Sequence, residues 1–313
     1  MSVNKVSIIG HRGARSYALE NVIPGYEVAL ECAVDSIDVD IVTTRDKIIL
    51  AYHDLHINSD ILSSISTSEI VNNTTLIKDL TLIELKNNYT VRLNPSSNYA
   101  KWFPNQKQIP NTRLNTLQEI VDFVNLKTNN TIQIQIEIKN SFLYPDWSES
   151  PSELARLVYE FIQENNLVNR IKVQAFDWRI LVALNKFNPN IKTAYLFAFD
   201  TKDNYQKWFA NSEVMDEASK MSKSELAFLP NLVKALGGYS YEPEDNELRY
   251  EDVLKVKKLG LKIFVWTWPE HSGFVFNPVL VKKLISWGVD GFITDNPIEL
   301  IELCKTNFSF VQL

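Results

Sequence analysis

Eight short apolar runs recur along this chain of 313 residues, around 5–10, 36–41, 131–138, 171–176, 192–197, 237–241, 262–267 and 291–295. Helix-period segments separate most of them, among them Asn21 to Ala33, Pro151 to Glu164, Arg249 to Leu259 and Pro278 to Trp287. Strands that alternate with helices argue for a parallel sheet, and eight repeats can close that sheet into a barrel. The expected fold class is therefore α/β, a single (β/α)8 barrel forming one domain over 1–313. A hydrophobic content of 45% and an aromatic content of 11% suit one large core better than two small ones. No internal sequence repeat is evident. The exception to the rhythm is 55–130, after the second strand, where Ser, Asn and Thr abound and only a helix at about 116–128 stands out. A stretch this long is usually functional or mobile, so it reads as an insertion. Lys47 to Tyr52 reads as an extra strand extending the second, with His53 and Asp54 in a loop over the barrel mouth.

Two strands carry the chemistry. In Ser36-Ile37-Asp38-Val39-Asp40-Ile41 apolar and acidic residues alternate, so on a strand Asp38 and Asp40 project from one face. Two buried carboxylates side by side call for a compensating cation. From Ile132 to Lys139 isoleucines alternate with Gln133, Gln135, Glu137 and Lys139, the pattern of a barrel strand with an apolar outside and a polar inside, and Glu137 becomes the natural third carboxylate. Of only four histidines, His11 and His53 sit in loops flanking the Asp38–Asp40 strand. Imidazoles for proton transfer beside oxygen ligands for a hard cation suggest metal-assisted phosphoryl chemistry.

His11-Arg12-Gly13-Ala14, Glu20-Asn21, Asp38-x-Asp40, His53-Asp54, Glu137-Ile138-Lys139, Gln174-Ala175-Phe176-Asp177, Trp266-Thr267 and the run from Gly288 to Asp295 resemble, in order, the motifs of the glycerophosphodiester phosphodiesterases. The resemblance spans residues 8–297. It implies a TIM barrel that hydrolyses glycerophosphodiesters to glycerol 3-phosphate and an alcohol with a divalent cation, commonly calcium or magnesium. Asp38, Asp40 and Glu137 would hold the cation, Arg12 and Lys139 the phosphate, and His11 and His53 would act as general acid and base. The attacking group would be the substrate's own glycerol 2-hydroxyl, giving a cyclic phosphate that water opens, a step that draws on high effective molarity. Which histidine acts first as base is open.

Other assignments have plain competitors. Glu20 is a metal ligand, an orienting partner for a histidine or a helix N-cap neighbour, with the supporting role favoured. Asp54 orients a neighbouring group or stabilises its loop. Trp266 forms a substrate wall or fills the barrel. His56 and His271 are read as structural. Tyr99, Trp102 and Phe103 in the insertion line a pocket or pack its aromatics onto the barrel rim. Three departures from the family pattern stand out: Asp38 replaces the usual Glu, Leu19-Glu20-Asn21-Val22 replaces Pro-Glu-Asn-Thr, and Trp268-Pro269 replaces the polar residue that commonly follows Trp-Thr.

A formal net charge of -6 without a basic run argues against a nucleic-acid partner, since such binding rests on clustered Lys and Arg. No run of about 18 apolar residues could span a bilayer, and no signal peptide precedes the first strand, so a cytoplasmic location is expected, a secreted mature form being the alternative. Cys32 and Cys304 are read as buried thiols. No feature of the sequence bears on oligomeric state. The expected partner is a small glycerophosphodiester. The alternatives are a related barrel enzyme that makes a cyclic phosphate from lysophospholipid or sphingomyelin, and a non-catalytic phosphodiester-binding barrel.

Overall fold

The structure is a computed structural model that describes residues 5–66, 71–198, 201–267 and 276–307. Its strands are β1 (Ser7–Gly10), β2 (Ser36–Thr43), β3 (Ile49–Ala51), β4 (Leu62–Ser64), β5 (Tyr89–Val91), β6 (Gln133–Ile138), β7 (Ile171–Ala175), β8 (Lys192–Phe197), β9 (Ser240–Pro243), β10 (Lys262–Trp266) and β11 (Gly291–Thr294). β2 and then β6 to β11 pair in parallel in chain order, and β1 pairs with both β11 and β2, which closes an eight-stranded barrel. The eight strands expected from the sequence are these eight. β3 lies antiparallel on β2, with Ile41 opposite Ala51, and extends the second strand as expected.

All eight residues of β2 are buried. Ile37, Val39 and Ile41 pack under the helices in the main core, while Asp38 and Asp40 enter the barrel. Register sets Asp40 beside Glu137 and Glu137 beside Gln174. One pleat nearer the N-terminal ends, Asp38 pairs with Gln135 and Gln135 with Lys172. This stagger sets Asp38 one level deeper than Asp40 and Glu137.

The surrounding helices form for local reasons. The helix Pro151–Glu164 starts at Ser150, whose hydroxyl accepts from Glu153 N, and it buries Leu154, Ala155, Val158, Phe161 and Ile162. That apolar stripe follows the 3.6-residue period, and removing one large member such as Leu154 costs about 2–5 kcal/mol. The helix Leu117–Thr128 opens on a reciprocal pair of hydrogen bonds between Thr116 and Glu119.

Within the insertion the sequence reading found no regular structure before residue 116. The structure adds the β4–β5 pair and helices at Leu82–Asn88 and Asn98–Trp102. Strands of three residues are too short to display a period, which is why they escaped notice. They close a second core of Leu50, Ile57, Leu62, Ile77, Leu85 and Leu114 against Leu19 and Val22 of the rim. Cys304 is buried as expected, but Cys32, at the end of the helix Ile23–Glu31, is only partly buried; both thiols are free. Among the described residues, no helix is long and apolar enough to cross a membrane. His271, Trp268 and Pro269 lie outside the described residues.

Candidate active site

β1 stops at Gly10, and the chain turns sharply through Arg12 at φ 52° and Gly13 at φ 98°. A Cβ on residue 13 would meet the carbonyl carbon of Gly25 at 2.8 Å, so only glycine fits there. The turn presents His11 and Arg12 to the barrel mouth, and His11 N donates to Thr294 O at 3.0 Å. His11 Nδ1 lies 2.7 Å from Asp295 Oδ1. Arg15 grips the same carboxylate through Nε at 2.8 Å and Nη2 at 2.7 Å. Burial lowers the His11 pKa to about 4, with Arg15 adding to the effect and Asp295 opposing it. Burial works against ionised Asp295, but Arg15 and His11 outweigh it and hold the carboxyl well below its ordinary range. His11 is thus a neutral imidazole whose Nδ1–H is tied to an anion, leaving Nε2 as a free base.

The second histidine repeats the device. His53 Nδ1 lies 2.6 Å from Asp54 Oδ1, and Asn58 Nδ2 donates to Asp54 Oδ2 at 2.6 Å. Asp54 also stays ionised below its usual range, because His53 and these hydrogen bonds outweigh its burial. Asp54 thus bonds both its neighbour His53 and Asn58 of its own loop.

Arg12 Nη1 donates to Glu20 Oε1 at 3.0 Å, and Arg12 Nε lies 2.9 Å from Asp40 Oδ2. The Tyr99 hydroxyl donates to Glu20 Oε2. Glu20 therefore holds Arg12 and touches neither histidine. Asn21, at φ 53°, donates from Nδ2 to Asp40 Oδ2 at 2.9 Å and takes the Asp40 N–H at 3.1 Å. Lys139 Nζ sits 3.1 Å from Asp40 Oδ1 and also bonds Glu137 Oε1. Burial would raise the Asp40 pKa, but Lys139 and Arg12 pull it well below the carboxylate range.

Asp38 is fully enclosed, with Oδ1 accepting from Gln174 Nε2 at 2.8 Å and Oδ2 left without a hydrogen-bond partner. Burial, then the charges of Asp40 and Glu137, push its pKa well up. The donor set is all carboxylate oxygen, which suits a hard cation. Register sets Asp40 beside Glu137; Glu137 lines the cleft, Asp40 is fully buried against Arg12 and Lys139, and the unpartnered Asp38 Oδ2 lies one pleat deeper. As arranged, however, the Lys139 ammonium stands between Asp40 and Glu137, and among the described residues no three acidic, histidine or cysteine side chains form a ready cage.

Above these groups opens a cleft of about 690 Å³, within the ordinary size of a small-molecule site. His11, Arg12, His53, Glu137 and Lys139 line one side of it. Phe176, Leu196, Glu244 and Trp266 line the other, under Trp147 from the loop after β6. Trp266 is 8% exposed in an interior cluster and also lines the cleft. Tyr99, Trp102 and Phe103 belong to the insertion's packing, where Phe103 lies 4.6 Å from the Arg15 guanidinium. Sequence reasoning missed Arg15, Asp295, Gln174 and Glu244 as site residues. Asp295 and Gln174 stood in quoted motifs next to strands and were legible there; Arg15 and Glu244 had no local signal.

The sequence model described as the glycerophosphoryl diester phosphodiesterase family matches residues 11–299. A protein of Caldanaerobacter subterraneus subsp. tengcongensis named glycerophosphodiester phosphodiesterase is 25% identical over 306 residues, covering 96% of this chain and 98% of its own. A solved structure from Silicibacter pomeroyi superposes with a TM-score of 0.80 at 22% identity, over 95% of this chain and 92% of the other. An Oleispira antarctica phosphodiesterase solved with the product sn-glycerol-3-phosphate matches with a TM-score of 0.64 at 16% identity, over 96% and 98% of the two chains.

Proposed function

The chain belongs to the glycerophosphoryl diester phosphodiesterase family, and on that premise we propose that it hydrolyses glycerophosphodiesters to glycerol 3-phosphate and an alcohol, with His11 and His53 as its proton carriers. It is a phosphoric diester hydrolase by membership. The observation that carries the finer reading is the paired histidine–carboxylate arrangement on one cleft: His11 on Asp295 and His53 on Asp54, each with Nδ1 engaged. Neutral His11 suits removal of a proton from the attacking hydroxyl, and His53 then delivers one to the leaving alkoxide. Arg12 offers the phosphate a planar fork already aimed by Glu20, and Lys139 a point charge. These cations sit where negative charge builds on the phosphoryl oxygens.

A divalent cation, calcium or magnesium, would be held by Asp40 and Glu137, with Asp38 Oδ2 behind them and Lys139 ceding the space between. When bound it would supply Lewis-acid polarisation of a phosphoryl oxygen. Every proton movement stays with the two histidines.

The location expected from the sequence, cytoplasmic, is carried forward as part of this proposal, as is one domain over the whole chain. A second reading, action on lysophospholipids with release of a cyclic phosphate, draws on Leu143 and Tyr144. They stand 67% and 51% exposed on the loop that also carries the cleft residues Ser141 and Trp147.

Phosphorus NMR separates the two. Purified protein is incubated with glycerophosphocholine or a lysophospholipid, with calcium, magnesium or chelator, beside His11→Ala and His53→Ala variants. Glycerol 3-phosphate that depends on both histidines supports the proposal. Cyclic phosphate from the lipid alone replaces it with the second reading, and turnover that survives both substitutions removes the histidine mechanism.

A further inference from the structure

The insertion meets the turn that carries His11 at a second point besides Tyr99. Past the helix Asn98–Trp102 the chain bends at Phe103, and Gln106 N donates to Phe103 O at 3.1 Å. Phe103 is buried, and the Arg15 guanidinium lies over its ring at 4.6 Å. Gln106, also buried, donates from Nε2 to Arg15 O at 2.8 Å. Its Oε1 has no hydrogen-bond partner among the described residues, so the bond to Arg15 is what its side chain secures. Beside it, Lys107 N donates to Tyr17 O at 2.8 Å, and Ala18 and Lys107 form a parallel bridge.

Arg15 is therefore gripped at both ends, its carbonyl by Gln106 and its guanidinium by Phe103 and Asp295. A long arginine stem left free would sample many rotamers, and a guanidinium in water acts weakly on its neighbours. An aromatic cover counters both, because it fixes the group and keeps water off it. What Arg15 does once fixed bears on His11: it binds the carboxylate that holds Nδ1, and its own Nη2 lies 3.3 Å from that nitrogen.

We infer that Phe103 and Gln106 are positioning residues, through which the insertion fixes Arg15 and, by way of Arg15 and Asp295, the orientation of His11. For its effect on turnover this rests on the phosphodiesterase reading above, and it gives the insertion a part in that reaction. The charged groups facing His11 are Asp295, from the end of β11, and Arg12 and Arg15, from its own turn. Glu20 and Tyr99 in turn face Arg15. Phe103 touches Arg15 and, ring to ring, Tyr99, so the test isolates the route through Arg15.

Phe103→Leu, Phe103→Tyr and Gln106→Met are compared with wild type, and Phe103→Leu is also placed on Arg15→Met to close a double-mutant cycle. Two readouts are taken: steady-state kinetics on glycerophosphocholine, and NMR titration of the His11 imidazole without substrate, its signal identified with His11→Gln. Phe103→Leu should lower kcat about tenfold with KM within about twofold. It should also raise the His11 midpoint from about 4, since a loosened Arg15 opposes protonation less. Phe103→Tyr keeps the ring and should restore both values, and on Arg15→Met the leucine should change neither. Thermal unfolding checks each fold; should Phe103→Leu not fold, Gln106→Met carries the same comparison. Losses that add to those of Arg15→Met, or a lowered stability with kcat and the His11 midpoint unchanged, overturn the inference. Absence of diester turnover in wild type would sink the hydrolase reading instead, and the His11 titration would still decide the positioning role.

Discussion

His11 and Asp295 stand 284 residues apart in sequence, yet Nδ1 and Oδ1 meet at 2.7 Å because β1 and β11 close the barrel as neighbours. On the proposed mechanism this carboxylate fixes which imidazole nitrogen carries the proton and steadies the positive charge that would form when Nε2 takes another. Asp295→Asn keeps the shape and removes the anion. The expected outcome is a loss of kcat of about 10²-fold or more, the scale of one positioned proton carrier, with KM changed only a few-fold. Steady-state kinetics read the split; a change confined to KM would show that Asp295 serves binding and leaves His11 alone.

Arg15 helps burial to keep His11 neutral. Nη2 lies 3.3 Å from His11 Nδ1, and its charge adds to burial in keeping the imidazole neutral. With the His11 pKa at about 4, kcat/KM should fall as pH drops through that value. Arg15→Met removes the opposing charge and leaves Asp295 to pull alone, so the acidic limb should move to higher pH. A limb that stays or moves down would place the controlling titration elsewhere. The same shift bears on stability: unfolded His11 takes a proton near 6.5 and folded His11 near 4, so its contribution is complete above 6.5 and is lost as pH falls to 4, about 3 kcal/mol in all. Denaturant melts at pH 7 and pH 4.5 should show a smaller acid loss for His11→Gln than for wild type.

The barrel was legible because its strands alternate with helices of regular period, and the site because its groups cluster at strand ends. Alternation alone put Asp38 and Asp40 on one face of β2, and the register agrees. Depth was not legible. Asp38 sits one pleat below Asp40 and both are fully enclosed, a matter of stagger between strands and of the Arg12 and Lys139 side chains laid on Asp40 that no single strand reveals. Nor was the identity of partners. Glu20 turns to Arg12 and Tyr99 only because the insertion folds its helix Asn98–Trp102 back over the rim, a contact across 79 residues. Arg15 and Glu244 looked like ordinary charged residues, since charge patterning cannot tell a solvated side chain from one that tertiary packing has buried.

Tyr99 ties the insertion to the site, and its removal should be felt in stability. The Glu20 Oε2 atom that takes the Tyr99 hydroxyl is otherwise 3.8 Å from Arg15 Nη1, in a pocket closed to water. Tyr99→Phe keeps the ring packed on Phe103 and strands that oxygen, at an expected cost of about 1–3 kcal/mol. Urea unfolding with an unchanged m-value measures it. A variant as stable as wild type would mean that water or Arg15 takes over, and that the insertion is not held to the site through Glu20.

Asp38 is the residue through which this chain should differ from its family in metal binding. Its carboxylate is a methylene shorter than the Glu expected there, lies a pleat below Asp40 and Glu137, and has Oδ1 drawn aside by Gln174. Two carboxylates at one level, with Lys139 between them, make a weaker cation site than three, because an ion must displace the ammonium with fewer anionic ligands to replace its lost water. Asp38→Glu extends the third oxygen pair toward that level. Calorimetric titration with calcium and with magnesium should show at least tenfold tighter binding for Asp38→Glu than for wild type, and Lys139→Met should tighten wild-type binding by removing the competitor. Equal affinities across the three proteins would mean that the ion, if it binds, takes its ligands elsewhere in the cleft.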